Sequence, residues 1–104
     1  MKESKFLSIL GLSRRAGQVI IGTPLVTSTL PSGRVQVVFY TADASANTEK
    51  RITDKCKFYG VLCKKIEIPS DQVGKMVGFK TSVCAVGITD INFSKQLIAL
   101  SEEE

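Results

Sequence analysis

Apolar residues along the chain switch repeatedly between helical and strand spacing. Phe6, Ile9, Leu10 and Leu12 fall at helical intervals and predict a helix over residues 1–16, with Arg14 and Arg15 in its last turn and Gly17 as its C-terminal cap. Residues 18–21 form a short β-branched run that Gly22 ends. Thr23 and Pro24 then open a second helix, a hydroxyl at the N-cap and proline at the first helical position, and Pro31-Ser32-Gly33 stops it.

Residues 34–41 hold Val35, Val37, Val38, Phe39 and Tyr40, a nearly continuous apolar run that predicts a strand covered on both faces. Asp43 and Ser45 are candidate N-caps for a helix over 47–59, whose inward stripe is Ile52, Cys56 and Tyr59, and Gly60 ends it. A third strand over 61–68 carries Lys64, Lys65 and Glu67. Pro69-Ser70-Asp71 opens a short helix with Val73, Met76 and Val77 inward and Gly78 at its end. Residues 82–88 read as a fourth strand, and Thr89 or Asp90 caps a last helix with apolar Leu97, Ile98 and Leu100. Strands alternating with helices through short connections predict an α/β fold, a three-layer α/β/α sandwich around a four-stranded mixed sheet. Residues 1–101 are expected to form one domain, followed by an acidic tail, 102–104.

Charge sharpens this picture. Fourteen Lys and Arg face ten Asp and Glu over 104 residues, and three of those acids are Glu102, Glu103 and Glu104. The body before them, with seven acids, carries +7, which suits a polyanionic partner as well as simple solubility. Histidine is absent, which removes the commonest general base and metal ligand. Cys56, Cys63 and Cys84 lack C-x-x-C spacing and read as small hydrophobes of a reducing compartment. A cytoplasmic protein with no metal and no cofactor is expected, and no stretch reads as a signal peptide or membrane span.

Catalytic motifs are missing. Gly11-Leu12-Ser13-Arg14-Arg15 lacks the closing glycine of a nucleophile elbow, and no Walker-type phosphate loop occurs. Asp43, Asp71 and Asp90 lie where helices begin, and Asp54 sits beside Lys50 and Arg51 on a helix, so capping and helix pairing explain them. The chain is therefore not expected to be an enzyme. Arg14 and Arg15 stand apart from the interleaved charges of residues 49–57, and the nearby turn at Gly22-Thr23-Pro24 begins a helix, where free N–H groups favour phosphate.

Several strings occur in an order that resembles a known family. They are Ser13-Arg14-Arg15-Ala16-Gly17 followed by a strand and Gly22, then residues 42–48 (ADASANT), then Thr53-Asp54-Lys55-Cys56, and finally the segment from Val73-Gly74 to Gly78. Together they resemble the small kink-turn RNA-binding ribosomal proteins typified by L-seven-Ae and L-thirty-e, and look most like the bacterial YlxQ branch. The resemblance spans nearly the whole chain. It implies a non-catalytic, ribosome-associated module that grips structured RNA, ribosomal RNA among the candidates, with two loops.

Those loops match residues 22–28 and 79–82 here, with the loop holding Asp43 and Ser45 alongside. The resemblance thus implies RNA contacts from Gly22, Thr23, Ser28, Asp43, Ser45, Thr81 and Ser82, and phosphate neutralisation by Arg14 and Lys80. The usual kink-turn reader carries Gly-Thr-Asn-Glu and a Lys three residues later. In this chain Pro24 replaces the Asn, Leu25 the Glu and Ser28 the Lys. Asn and Glu hydrogen-bond base edges and Pro and Leu do not, each lost contact being worth about 1–3 kcal/mol of discrimination. Affinity for phosphate is expected to outlast kink-turn specificity. The alternative is a protein-interaction module of the same fold, since Pro24 and Leu25 suit a protein surface. A monomer without a small-molecule substrate is expected in either case.

Overall fold

The computed structural model describes residues 1–103, so Glu104 of the expected tail lies outside the described residues. The elements are α1 (Glu3–Arg15), β1 (Val19–Ile21), α2 (Thr23–Thr29), a 3-10 turn (Leu30–Ser32), β2 (Val37–Thr41), α3 (Ala46–Tyr59), β3 (Leu62–Ile66), α4 (Ser70–Met76), β4 (Ala85–Ile88) and α5 (Ile91–Glu102). The strands lie in the order β1-β4-β2-β3, with β4 antiparallel to both β1 and β2, and β3 parallel to β2. The sheet is mixed, as the sequence predicts.

Alternation along β2 divides the core. Val37 and Phe39 join Phe6, Leu10, Ile66, Val73 and Leu97 on the α1–α4–α5 side. Val38 and Tyr40 join Val26, Leu30, Ile52 and Cys56 on the α2–α3 side. All five β2 residues are buried, which explains the unbroken apolar run in its sequence. Phe6 meets Phe39 edge to face at 5.1 Å between ring centroids, which fixes α1 on the sheet.

Besides Tyr59, which is 38% exposed rather than on the inward stripe of α3, two local expectations change. Leu12 is 46% exposed, and the buried stripe of α1 is Phe6, Leu10, Gly11 and Ser13. Phe6, Leu10 and Ser13 follow the i, i+4, i+7 pattern, and the buried Ser13 hydroxyl donates to the Ile9 carbonyl at 2.8 Å. A hydroxyl satisfied inside its own helix can occupy a core position that reads as polar. Secondly, Gly22 rather than Thr23 is the N-cap of α2, and no side chain caps that helix.

Ser45 caps α3 as expected, accepting from the Thr48 N–H at 3.2 Å. Ser45→Ala should therefore cost about 1 kcal/mol of unfolding free energy, measured by denaturant titration. Asp90 likewise caps α5, accepting from the Phe93 N–H at 2.9 Å. Glu102 is the last residue of α5, and its carboxylate pairs with Lys64 at 2.7 Å; Glu103 lies 3.7 Å from Lys2. No helix is long and apolar enough to cross a membrane among the described residues.

Candidate nucleic-acid interface

Sheet topology gathers three loops at one edge. β1 and β2 both run toward this edge and β4 runs away from it, so residues after β1, after β2 and before β4 are neighbours. The Gly22 N–H donates to the Ala85 carbonyl at 2.9 Å, and the Thr41 N–H donates to the Cys84 carbonyl at 2.9 Å. The Ala42 N–H reaches the Ile66 carbonyl at 2.8 Å and brings the end of β3 to the same edge. Gly22, Asp43 and the chain leading out of residues 79–82 therefore lie side by side.

Gly22 has φ 93° and ψ 147°, a conformation essentially closed to residues with a Cβ. It turns the chain from β1 directly into α2 and leaves the first turn of the helix uncapped. Thr23 is half-buried, whereas Pro24, Leu25 and Ser28 are exposed, Leu25 to 54%. The Ser28 hydroxyl donates to the Leu25 carbonyl at 3.1 Å, and Ser28 lies more than a helical turn along α2 from Gly22. Of the residues expected in this segment, Gly22 and Thr23 reach the loop cluster and Ser28 stands off it.

Residues 79–82 are exposed and fold back along α4. A Cβ at Gly74 would overlap the Thr81 carbonyl oxygen, so only glycine allows the loop backbone to lie this close to the helix. The Phe79 N–H donates to the Gly74 carbonyl at 2.8 Å and the Val83 N–H to the Ser70 carbonyl at 3.0 Å, which clamps the loop at both ends. Arg14 lies over the start of this loop. Its guanidinium nitrogen is 3.1 Å from where a Cβ of Gly78 would stand. Arg14, Lys80, Thr81 and Ser82 are thus brought into one region.

Asp43 is not a cap of α3. Its Oδ2 accepts from the Ser70 N–H at 3.1 Å and from the Ser70 hydroxyl at 2.9 Å, so it caps α4 across 27 positions of sequence. Pro69, the residue before α4, has no side-chain donor or acceptor, which leaves that helix start open to a cap from another loop. The nearby Thr41 hydroxyl, then the Ser70 N–H and hydroxyl, hold the Asp43 carboxyl below the usual carboxylate range. The Thr41 hydroxyl itself is buried and makes no hydrogen bond of good geometry among the described residues.

A lowered carboxylate stabilises the fold fully above the ordinary aspartate value of about 3.9, and the contribution disappears as pH falls through the lowered value. Asp43→Asn should accordingly destabilise the protein at pH 7 and narrow its gap to the parent under acid. Denaturant unfolding at both pH values measures this. The effect is modest, because Asp43 is exposed to solvent.

The ion pairs leave the cations around residues 78–82 unmatched, as they do several others. The ion pairs among the described residues are Lys2–Glu103, Lys50–Asp54, Lys64–Glu102 and Lys65–Glu49, all on α3, β3 or the chain termini. Arg14, Arg15, Lys75 and Lys80 make no ion pair among the described residues, and they sit on α1, α4 and the loop that follows it. Lys75, not among the residues singled out in the sequence, is exposed in the last turn of α4, and its neighbour Met76 packs against Gly11 of α1. At that contact a Cβ on Gly11 would stand 2.9 Å from the Met76 sulfur, part of a flexible side chain.

A family model for the ribosomal protein L7Ae/L30e/S12e/Gadd45 family matches residues 4–98. The chain belongs to this family. It is 38% identical over 100 residues to the RNA-binding protein YlxQ of Bacillus subtilis (strain 168), covering 96% of this chain and 98% of that protein. It is 33% identical over 98 residues to the RNA-binding protein YlxQ of Enterococcus faecium, covering 94% and 92%. The resemblance to the YlxQ branch that the sequence suggests is therefore upheld. Among solved structures, a Bacillus halodurans protein of unknown function superposes with a TM-score of 0.87 at 33% identity, over 95% of this chain and 98% of that one. The Giardia lamblia 15.5kD RNA binding protein shares the fold, with a TM-score of 0.78 at 15% identity over 96% of this chain and 87% of that one.

Proposed function

We propose that this member of the family binds structured RNA of kink-turn or related geometry, without catalysis, as a cytoplasmic, ribosome-associated monomer. The observation that carries the reading is the gathering of Arg14, Lys80, Thr81 and Ser82 around residues 78–82, where neither cation makes an ion pair among the described residues. Family membership and the RNA-binding YlxQ relatives support it. Arg14 and Lys80 neutralise phosphates. The uncapped first turn of α2 offers N–H groups beside Thr23, and Thr81 and Ser82 offer hydroxyls. Asp43, an anion already engaged by Ser70, serves the interface by holding α4 and hence the loop after it. Ser45 is committed to α3 through Thr48 and borders the site.

The double substitution Arg14→Glu, Lys80→Glu tests this. Each phosphate contact contributes about 0.9 to the slope of log affinity against log salt, so the variant should bind a kink-turn RNA at least about tenfold more weakly and lose roughly two units of slope. Unchanged affinity and slope would refute the placement.

The protein-interaction reading draws on Pro24 and Leu25, both exposed at the start of α2. Purified protein free of nucleic acid, with no salt-sensitive RNA binding, would favour it. With no Trp in the chain, the ratio of absorbance at 260 and 280 nm is a sensitive reporter of bound RNA.

A further inference from the structure

The outer face of α3 carries a feature that the loop cluster does not use. Ile52 and Cys56 turn inward, while Arg51, Lys55 and Phe58, at i, i+4 and i+7, form one exposed stripe. Phe58 is 78% exposed, the most exposed large apolar side chain among the described residues. Its ring meets that of Tyr59 at 4.8 Å and 82°, an edge contact that fixes the aromatic pair and leaves ring surface open to solvent. Arg51, Lys55 and Lys57 make no ion pair among the described residues, and the one acid close to the stripe, Asp54, is held by Lys50 at 3.5 Å.

An open aromatic ring at the end of a row of free cations suits an unpaired base and its phosphates, because a base stacks on the ring while guanidinium and ammonium groups follow the backbone. A protein partner fits less well. Stable interfaces cover about 800 Å² on each side, and the exposed large apolar residues of α3 are Phe58 and Tyr59 alone. Leu62, close in sequence, belongs to the opposite face of β3 with Lys64 and Ile66. A second copy would bring the same cations together.

We propose that Phe58, with Lys55 and Arg51 one and two turns before it on the same stripe, is a stacking platform for single-stranded RNA that extends from the structured RNA held by residues 22–28 and 79–82. The proposal rests on the RNA-binding reading above and adds a second contact to it. From the Ser45 cap to Phe58 the helix rises about 20 Å, so the segment reaching the platform must be unpaired and several nucleotides long.

Phe58→Trp places the sole tryptophan of the chain at the platform, where high exposure makes the change tolerable. Three RNAs are titrated: a kink-turn RNA, the same RNA with an adenine tail of about ten nucleotides at either end, and the oligoadenylate alone. The tailed RNA and, at higher concentration, the oligoadenylate should quench the indole, and the untailed RNA should not. With the parent protein the tail should raise affinity at least about fivefold, the low end for stacking one base. Phe58→Ala should abolish that gain and leave untailed binding unchanged. Equal affinity with and without the tail, together with an unquenched indole, would overturn the platform and leave the loop interface standing. Quenching by oligoadenylate without binding of the untailed RNA would support the platform and refute the loop interface instead. An indole silent to RNA but shifted to the blue in a concentration-dependent dimer would assign the stripe to a second copy and overturn the proposal.

Discussion

Gly74→Ala should both destabilise the protein and cripple RNA binding. The added Cβ would overlap the Thr81 carbonyl oxygen, with the Thr81 carbonyl carbon at 3.3 Å and the Ser82 Cα at 3.5 Å. All three are backbone atoms, so no rotamer change relieves the clash. Alanine gains about 1 kcal/mol of helix propensity over glycine, but overpacking that moves backbone typically costs about 1–3 kcal/mol. Relief requires residues 79–82 to move off α4, which displaces Lys80, Thr81 and Ser82 together. Net destabilisation of up to about 2 kcal/mol and at least a tenfold loss of affinity for structured RNA are expected. Gly11→Ala is the control. Its Cβ meets the flexible end of Met76, which can swing aside, so stability should hold or rise. Equal stability and RNA binding in Gly74→Ala and the parent would contradict the packing described for this loop.

The second large effect is a gain. Pro24 and Leu25 are exposed and occupy the positions where the usual kink-turn reader carries Asn and Glu. Pro24→Asn, Leu25→Glu changes no buried contact, and an acid in the first helical turn suits the helix dipole. Each restored bidentate contact is worth about 1–3 kcal/mol of discrimination, so preference for an intact kink-turn over the same RNA with its G·A pairs replaced should rise at least tenfold. Parallel titrations of parent and variant with both RNAs measure it. A ratio that stays at the parent value would show that base recognition does not pass through these positions.

What was legible in the sequence follows from which interactions are local. Ser45 and Asp90 read as caps because a cap hydroxyl or carboxylate serves an N–H three residues on. The buried β2 run and the helix stops at Gly60 and Gly78 read equally well, for the same reason. Asp43 misleads because its partner, Ser70, is 27 residues away, and a carboxylate near one helix start serves another. Ser13 and Leu12 exchange roles because a self-satisfied hydroxyl packs where its polarity argues against it. At the candidate interface, Arg14 and residues 79–82 follow from the resemblance carried by the order of motifs, whereas the close approach at Gly74 depends on how α4 packs against its own following loop. No periodicity encodes that packing.

The most direct test of phosphate-led RNA binding is titration of the unmodified protein with a kink-turn RNA and with the same RNA lacking its G·A pairs, at about 0.05 and 0.2 M salt. Contacts from Arg14, Arg15, Lys75 and Lys80 to four phosphates predict that both RNAs bind within a few-fold of each other and that both weaken on the order of a hundredfold at the higher salt. Binding to neither RNA, or an affinity indifferent to salt, would contradict it.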